Sequence, residues 1–206
     1  MSARLVVAIL GAYLLGSIPT SLLVVRAVKG IDLRKVGSGN LGATNLYRQL
    51  GFAYAIPVAL FDALKGAIPV AVLGPWAGLG LVGSFLLGVV AVVGHAFSIF
   101  ANFKGGKGVA TGSGIVLGIA PWAYLVTLLV WVVTVRFSGY VSLGSIVAAV
   151  VLPPAVLLLQ PDRHVVVIWL AALSLIIIWF HRANIHRLLN GTENRFGKRG
   201  DPAASK

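Results

Sequence analysis

The sequence predicts an all-α integral membrane protein of about seven transmembrane helices, its N-terminus outside and its C-terminus cytoplasmic. Three observations carry that prediction. Of the 206 residues, 58% are hydrophobic and only 11% charged, for a mean hydropathy of +0.95. A water-soluble domain cannot hide that much apolar side chain, so lipid must be its main solvent. Apolar runs at 3–25, 52–73, 78–101, 109–135, 140–159 and 165–180 fill most of the chain, which reads as one membrane domain over 1–206. Finally, of the 17 basic residues behind the net charge of +12, 14 sit in three short connections and the tail. Such placement suits topology and anionic lipid or phosphate partners, not nucleic acid.

The runs are justified in order by charge. Arg26, Lys29, Arg34, Lys35 and Arg48 occupy the first connection, and Lys104 and Lys107 the second. Arg136 stands alone, and Arg182, Arg187, Arg195, Lys198, Arg199 and Lys206 crowd the tail. All four clusters are expected on the cytoplasmic side. Six spans would send the tail to the wrong side. Two short helices in 109–135, broken near Ala120-Pro121, remove the conflict, because proline ends a helix at the residue before it. The first apolar run has no small-residue cleavage site after it, so no removable signal peptide is expected. Within the second span, Asp62 and Lys65 lie one turn apart on one face, either as a structural ion pair or as support for a site.

Three polar segments carry the chemistry: 26–51, 102–113 and 181–200. The first contains Val36-Gly37-Ser38-Gly39-Asn40-Leu41-Gly42-Ala43-Thr44-Asn45-Leu46-Tyr47-Arg48. Its G-x-G-x-x-G resembles a dinucleotide fingerprint, but no strand precedes it and no βαβ unit fits. Instead, the glycines let backbone N–H groups converge on an anion, with Ser38, Asn40, Thr44 and Asn45 as neutral partners and Arg48 as a two-pronged phosphate grip. The second runs from Gly94-His95 through Lys104-Gly105-Gly106-Lys107-Gly108 to Thr111. It is no Walker motif, because Gly108 follows Lys107, yet two ammonium groups beside a helix start at Val109 make an anion site. His95 reads either as a base or as a polar residue satisfied by a neighbouring helix. In the third segment His181, Asn184 and Arg187 share one helical face, and Glu193 reads as a structural partner for loop arginines.

Together, GSGNLGATNLYR (37–48), GHAFSIFANFKGGKGVATG (94–112) and HRANIHRLLNGTENRFG (181–197) resemble the acyl-phosphate-dependent glycerol-3-phosphate acyltransferases, the PlsY family of bacterial phospholipid synthesis. LGSIPTS (15–21), FDALKG (61–66) and YVSLGSI (140–146) extend the resemblance over nearly the whole chain. Ser98 departs from it, standing where the family more often has proline. The resemblance implies seven membrane helices and a cytoplasmic active site in the bacterial plasma (inner) membrane. It implies transfer of a fatty acyl group from acyl phosphate to the 1-hydroxyl of glycerol 3-phosphate, with no metal, CoA or other cofactor, and a monomer is expected. Ser38, Arg48, Lys107, His181 and Asn184 are then expected around glycerol 3-phosphate, and Asn40, Thr44, Gly105, Gly106, Gly108 and Ser142 at the acyl-phosphate head group. Gly37, Gly39, Gly42, Asn45, Lys104 and Thr111 complete the expected binding set.

The alternative is a membrane transporter of anions or phosphate compounds. Against it, there is no internal repeat, and the glycine-rich segments lie at span ends rather than at their middles. A CoA-dependent acyltransferase wants H-x-x-x-x-D, which no histidine here provides. A CDP-alcohol phosphotransferase wants an aspartate cluster, and the five acids are scattered. With no cysteine, a cysteine-thioester acyl-enzyme is excluded.

Overall fold

A computed structural model describes residues 2–196, and every regular element among them is helical. Gly197, Lys198, Arg199, Asp201 and Lys206 of the expected tail lie outside the described residues. The first apolar run is not one helix but two, α1 (Ala3–Ser17) and α2 (Thr20–Lys29). Pro19 has no N–H for the carbonyl one turn before it and drives Ile18 out of the helical region, to ψ 113°. The break frees two carbonyls. Ser98 Oγ, itself buried, donates to Ser17 O. Lys65 Nζ donates to Ile18 O at 2.6 Å.

A 3-10 turn at Leu33–Lys35 leads through the glycine-rich loop to α3 (Ala43–Leu50), a short surface helix, and then to α4 (Phe52–Ile68). Pro69 opens a wide turn over Pro69–Leu73, closed by Gly74 N–H on Pro69 O, before the single turn α5 (Gly74–Trp76). The Asp62–Lys65 pair is buried, with Nζ 2.5 Å from Oδ1, and Thr20 Oγ1 donates to the same oxygen at 3.2 Å. Of the two readings of this pair, the structural one matches its contacts: it clamps α4 to the α1–α2 break.

Next come α6 (Leu81–Ala96), a 3-10 turn at Ile99–Ala101, α7 (Val109–Ile119) and α8 (Pro121–Ser138). The break expected near Ala120-Pro121 is present, with buried Ala120 between the two helices. Gln160 Oε1 accepts from Ala123 N–H there, satisfying one of the open donors at the start of α8. Then follow α9 (Val141–Leu159), a 3-10 stretch Pro161–Val166, α10 (Val167–Phe180) and α11 (Arg182–Leu189).

Six helical stretches are long and apolar enough to cross a bilayer: Ala3–Lys29, Phe52–Trp76, Leu81–Ala101, Pro121–Ser138, Val141–Leu159 and Pro161–Phe180. At 11 residues, α7 is only about 16 Å long. Most of it packs inside protein, with Thr111, Gly112, Gly114, Ile115, Val116 and Ile119 buried and Leu117 exposed. Backbone-to-backbone contact makes this possible. A Cβ on Gly114 would lie 1.8 Å from Ala63 O, and one on Gly66 would lie 1.9 Å from Thr111 O. Small residues let α4 and α7 approach this closely, which is how helices gain contact in lipid. The main core joins Phe85 and Val92 of α6, Ile115 and Ile119 of α7, and Leu170 and Leu173 of α10. Outward, Trp122, Leu129 and Phe137 of α8 are exposed apolar side chains, as a lipid-facing surface requires.

Candidate active site

The three polar segments meet at one end of the bundle. Ser38, Gly39 and Asn40 of the first, Gly105 and Lys107 of the second, and Ala183, Asn184 and Arg187 of the third line one open cavity of about 260 Å³. Each segment is held by a different local device.

The first loop is tied by a single side chain. Asn45, 1% exposed, donates through Nδ2 to the carbonyls of Leu33, Val36 and Asn40, while its Oδ1 accepts from Ser38 N–H. A binding role for Asn45 is therefore corrected: every polar atom of that amide is used to wrap the loop around it. Gly37 makes room for the knot. Its φ is +59°, and a Cβ there would lie 2.3 Å from Asn45 Oδ1. Gly42 caps the start of α3, whose first turn carries Thr44 and whose last carries Arg48.

The second loop folds back onto α6. Gly105 N–H donates to Ala96 O at 3.0 Å and Gly106 N–H to His95 O at 3.1 Å. Gly105 and Gly106 are expected at the acyl-phosphate head group, but the end of α6 takes both of their N–H groups. Gly108, at φ +74°, turns the chain into α7. Lys104 is exposed and absent from the cavity wall, and Thr111 is wholly buried against α4. Neither reaches the cavity, since the chain has turned away on both sides of Lys107.

The third segment organises the rest. Lys107 Nζ donates to Asn184 Oδ1. Asn184 Nδ2 donates to Glu193 Oε1 at 2.6 Å, and Ser142 Oγ to the same oxygen at 2.8 Å. Arg187 Nε donates to Oε2 at 2.7 Å. Glu193, its side chain 5% exposed, thus joins α9 to both ends of α11. Burial alone pushes its carboxyl up, but the bonds from Asn184, Ser142 and Arg187 outweigh that and hold it below its ordinary value. The Ser142 hydroxyl is committed here, not directed at a head group. Beyond Glu193 the chain is strapped down by Phe196, whose N–H donates to Gly139 O at 2.6 Å and whose ring stacks on Tyr47.

Cations surround this carboxylate. Burial lowers Arg48 from its ordinary value, with Glu193 pulling the other way and Arg187 adding repulsion. Burial likewise brings Lys107 down to about 8, opposed by Glu193 and reinforced by Arg187 and Arg48. His181 stands one turn before Asn184, 3% exposed, with Nδ1 2.8 Å from Ile177 O. That contact assigns the proton to Nδ1 and leaves Nε2 an acceptor. Burial brings this ring down to about 4, against the Ile177 bond. All five expected central residues therefore cluster: Ser38, Lys107 and Asn184 on the cavity, with Arg48 and His181 beside the Glu193 network. Arg187 was missed as a site residue, although its helical spacing from His181 and Asn184 already put it on their face. Ser98, the departure noted above, is the Oγ that caps Ser17 O, a bond proline cannot make.

The fold and the site define a polytopic membrane protein with an open cavity at one end of its helix bundle, lined by amide, hydroxyl and basic side chains. A family model described as glycerol-3-phosphate acyltransferase matches residues 6–191, and the chain belongs to that family. A glycerol-3-phosphate acyltransferase of Geobacter sulfurreducens is 46% identical over 191 residues, 90% of this chain and 94% of that protein. One from Agrobacterium fabrum is 42% identical, covering 96% and 95%. The fold matches a crystal structure of PlsY, an integral membrane glycerol 3-phosphate acyltransferase, in its glycerol 3-phosphate form. The TM-score is 0.84 and the identity 41%, over 94% of this chain and 96% of that one. The lysophosphatidic acid form matches with a TM-score of 0.83 and 39% identity, over 94% and 95%.

Proposed function

We propose that this protein moves a fatty acyl group from acyl phosphate to the 1-hydroxyl of glycerol 3-phosphate, giving 1-acylglycerol 3-phosphate (lysophosphatidic acid) and phosphate. The observation that carries this reading is the convergence of Ser38, Lys107, Asn184 and Arg187 from three segments on one cavity. Arg48 and Lys107 hold the glycerol 3-phosphate phosphate, with Ser38 and Asn184 hydrogen-bonding the polyol. Asn40, Thr44 and the Gly105–Gly108 turn face the donor head group. Gly105 and Gly106 serve there by being small, since their N–H groups are already used.

The hydroxyl oxygen attacks the acyl carbonyl carbon, the bond from that carbon to the phosphate oxygen breaks, and phosphate leaves. His181 Nε2 accepts from the attacking hydroxyl and orients it. A ring brought down to about 4 does not retain a proton near neutrality, so the proton ends on the departing phosphate. Acyl phosphate is an activated mixed anhydride, so the reading needs no covalent intermediate, metal or CoA. All the named residues come from one chain, which is why we take a monomer as sufficient.

The same reading places the protein in the bacterial plasma (inner) membrane with the cavity facing the cytoplasm. Lys107 and Asn184 share one cavity, so an even number of passes separates them. Counting α7 with α8, α9 and α10 makes four passes and seven in all, with the N-terminus outside.

The test is phosphate release from palmitoyl phosphate by the purified protein, with and without glycerol 3-phosphate, in EDTA. Release that depends on glycerol 3-phosphate and survives chelation is the expected result. No release, with either phosphate compound still bound, favours a transporter. Arg48→Ala should remove most turnover and leave the protein folded, read as rate against melting temperature.

A further inference from the structure

The mechanism leaves His95 unused. It is 8% exposed at the end of α6, and neither ring nitrogen has a protein hydrogen-bond partner among the described residues. Neither nitrogen is among the fully buried atoms that lack a partner, so the ring edge is within reach of water. The ring borders an enclosed space of about 10 Å³ together with Thr20, Leu41, Ser98, Gly105 and Gly106, room for about one water. It also forms the floor of the lysine loop: a Cβ on Gly106 would lie 2.2 Å from His95 Nε2, and the His95 carbonyl takes the Gly106 N–H. Lys107 is the next residue. On the other side of the space is the α1–α2 break, held by Asp62, Lys65 and Ser98.

The geometry points to His95 as a positioning residue for the proposed reaction: its ring, through one bound water, sets the height of Gly105–Gly106 above the helix break and so aims Lys107 into the cavity. This rests on the acyl-transfer reading given above. The ring contributes both volume, which Gly106 rests on, and a hydrogen-bonding nitrogen, which the water uses.

Two single variants separate those contributions. His95→Phe keeps the volume and loses the nitrogen, and His95→Gln keeps a hydrogen-bonding group near Nε2. Measured against glycerol 3-phosphate, His95→Phe should raise KM about tenfold with kcat less affected, and His95→Gln should stay close to wild type. A merely structural histidine lowers the melting temperature of His95→Phe and leaves KM where it was, and that result overturns the inference. A double-mutant cycle adds an independent reading. Gly106→Ala drives a methyl into the ring, and adding His95→Ala should recover part of the lost activity. Strictly additive losses count against the contact. Calorimetric binding of glycerol 3-phosphate reports the same loss of affinity without turnover. Wild-type protein that binds but transfers nothing therefore sinks the acyl-transfer reading and leaves the His95 inference to be judged on affinity alone.

Discussion

Asp62 and Glu193 are both buried carboxylates bonded to cations, yet they do opposite work. Asp62, 2% exposed within the membrane bundle, has Lys65 on its own helix and one hydroxyl from across the break. Everything in that cluster is internal, and none of it reaches the 260 Å³ cavity. Glu193 lies beyond the last apolar span and gathers Asn184, Ser142 and Arg187 while Lys107 and Arg48 feel its charge. The first carboxylate closes a structural defect that a proline opened. The second arranges groups that remain available to a ligand. A buried charge thus indicates a site only when its partners also face open space.

The sharpest way to break the contrast is at Asp62. Asp62→Ala leaves the Lys65 ammonium buried with only the Ile18 carbonyl and should cost about 3–5 kcal/mol of stability, read by thermal unfolding in detergent. Replacing both partners by apolar residues, as in Asp62→Leu with Lys65→Met, should regain most of that loss. Persistent instability in the double variant would show that the pair does more than clamp.

Glu193→Gln should do the reverse. It keeps an acceptor for Asn184 or Ser142 but frees Arg187 and shifts Lys107, so turnover should fall about 100-fold for a misplacement near 1 Å. The melting temperature should fall less than in Asp62→Ala. Equal stability losses in the two variants would erase the distinction drawn here.

The smallest effect is a pH dependence. Lys107, held down to about 8, carries its ammonium below that value and loses it above. Affinity for glycerol 3-phosphate should therefore weaken as pH rises through about 8, tending to about tenfold per pH unit beyond it. Lys107→Arg, whose guanidinium stays charged, should flatten that limb even where its rate is lower. A wild-type KM unchanged to pH 9.5 removes Lys107 from phosphate binding.

Much of this was legible in the chain. Ala120-Pro121 showed the helix break because charge parity demanded one there, and Lys107 and Arg187, far apart in sequence, meet at one cavity. The break at Ile18-Pro19 is signalled only by its proline, which does not decide the matter because Pro57, Pro153 and Pro154 lie inside helices. It interrupts no apolar run and changes no loop charge, so neither periodicity nor parity registers it. Asn45 looked like a ligand-binding amide and proves to be the knot of its own loop, because an amide serves backbone or substrate with the same four bonds. Gly105 and Gly106 were expected at a head group, and their N–H groups go instead to the carbonyls of Ala96 and His95. Which carbonyl or phosphate an N–H meets depends on what folds against it.

Composition and the order of charges suffice to place this chain in a bilayer and to find its apolar spans, because transfer of each side chain into lipid is priced almost independently of its neighbours. Three things required the folded protein: the commitment of Glu193 to Asn184, Ser142 and Arg187, the use of two loop amides by α6, and the seat of His95 beneath Gly106. Each depends on residues many positions apart meeting at hydrogen-bond distance, and such meetings are decided by how whole helices pack.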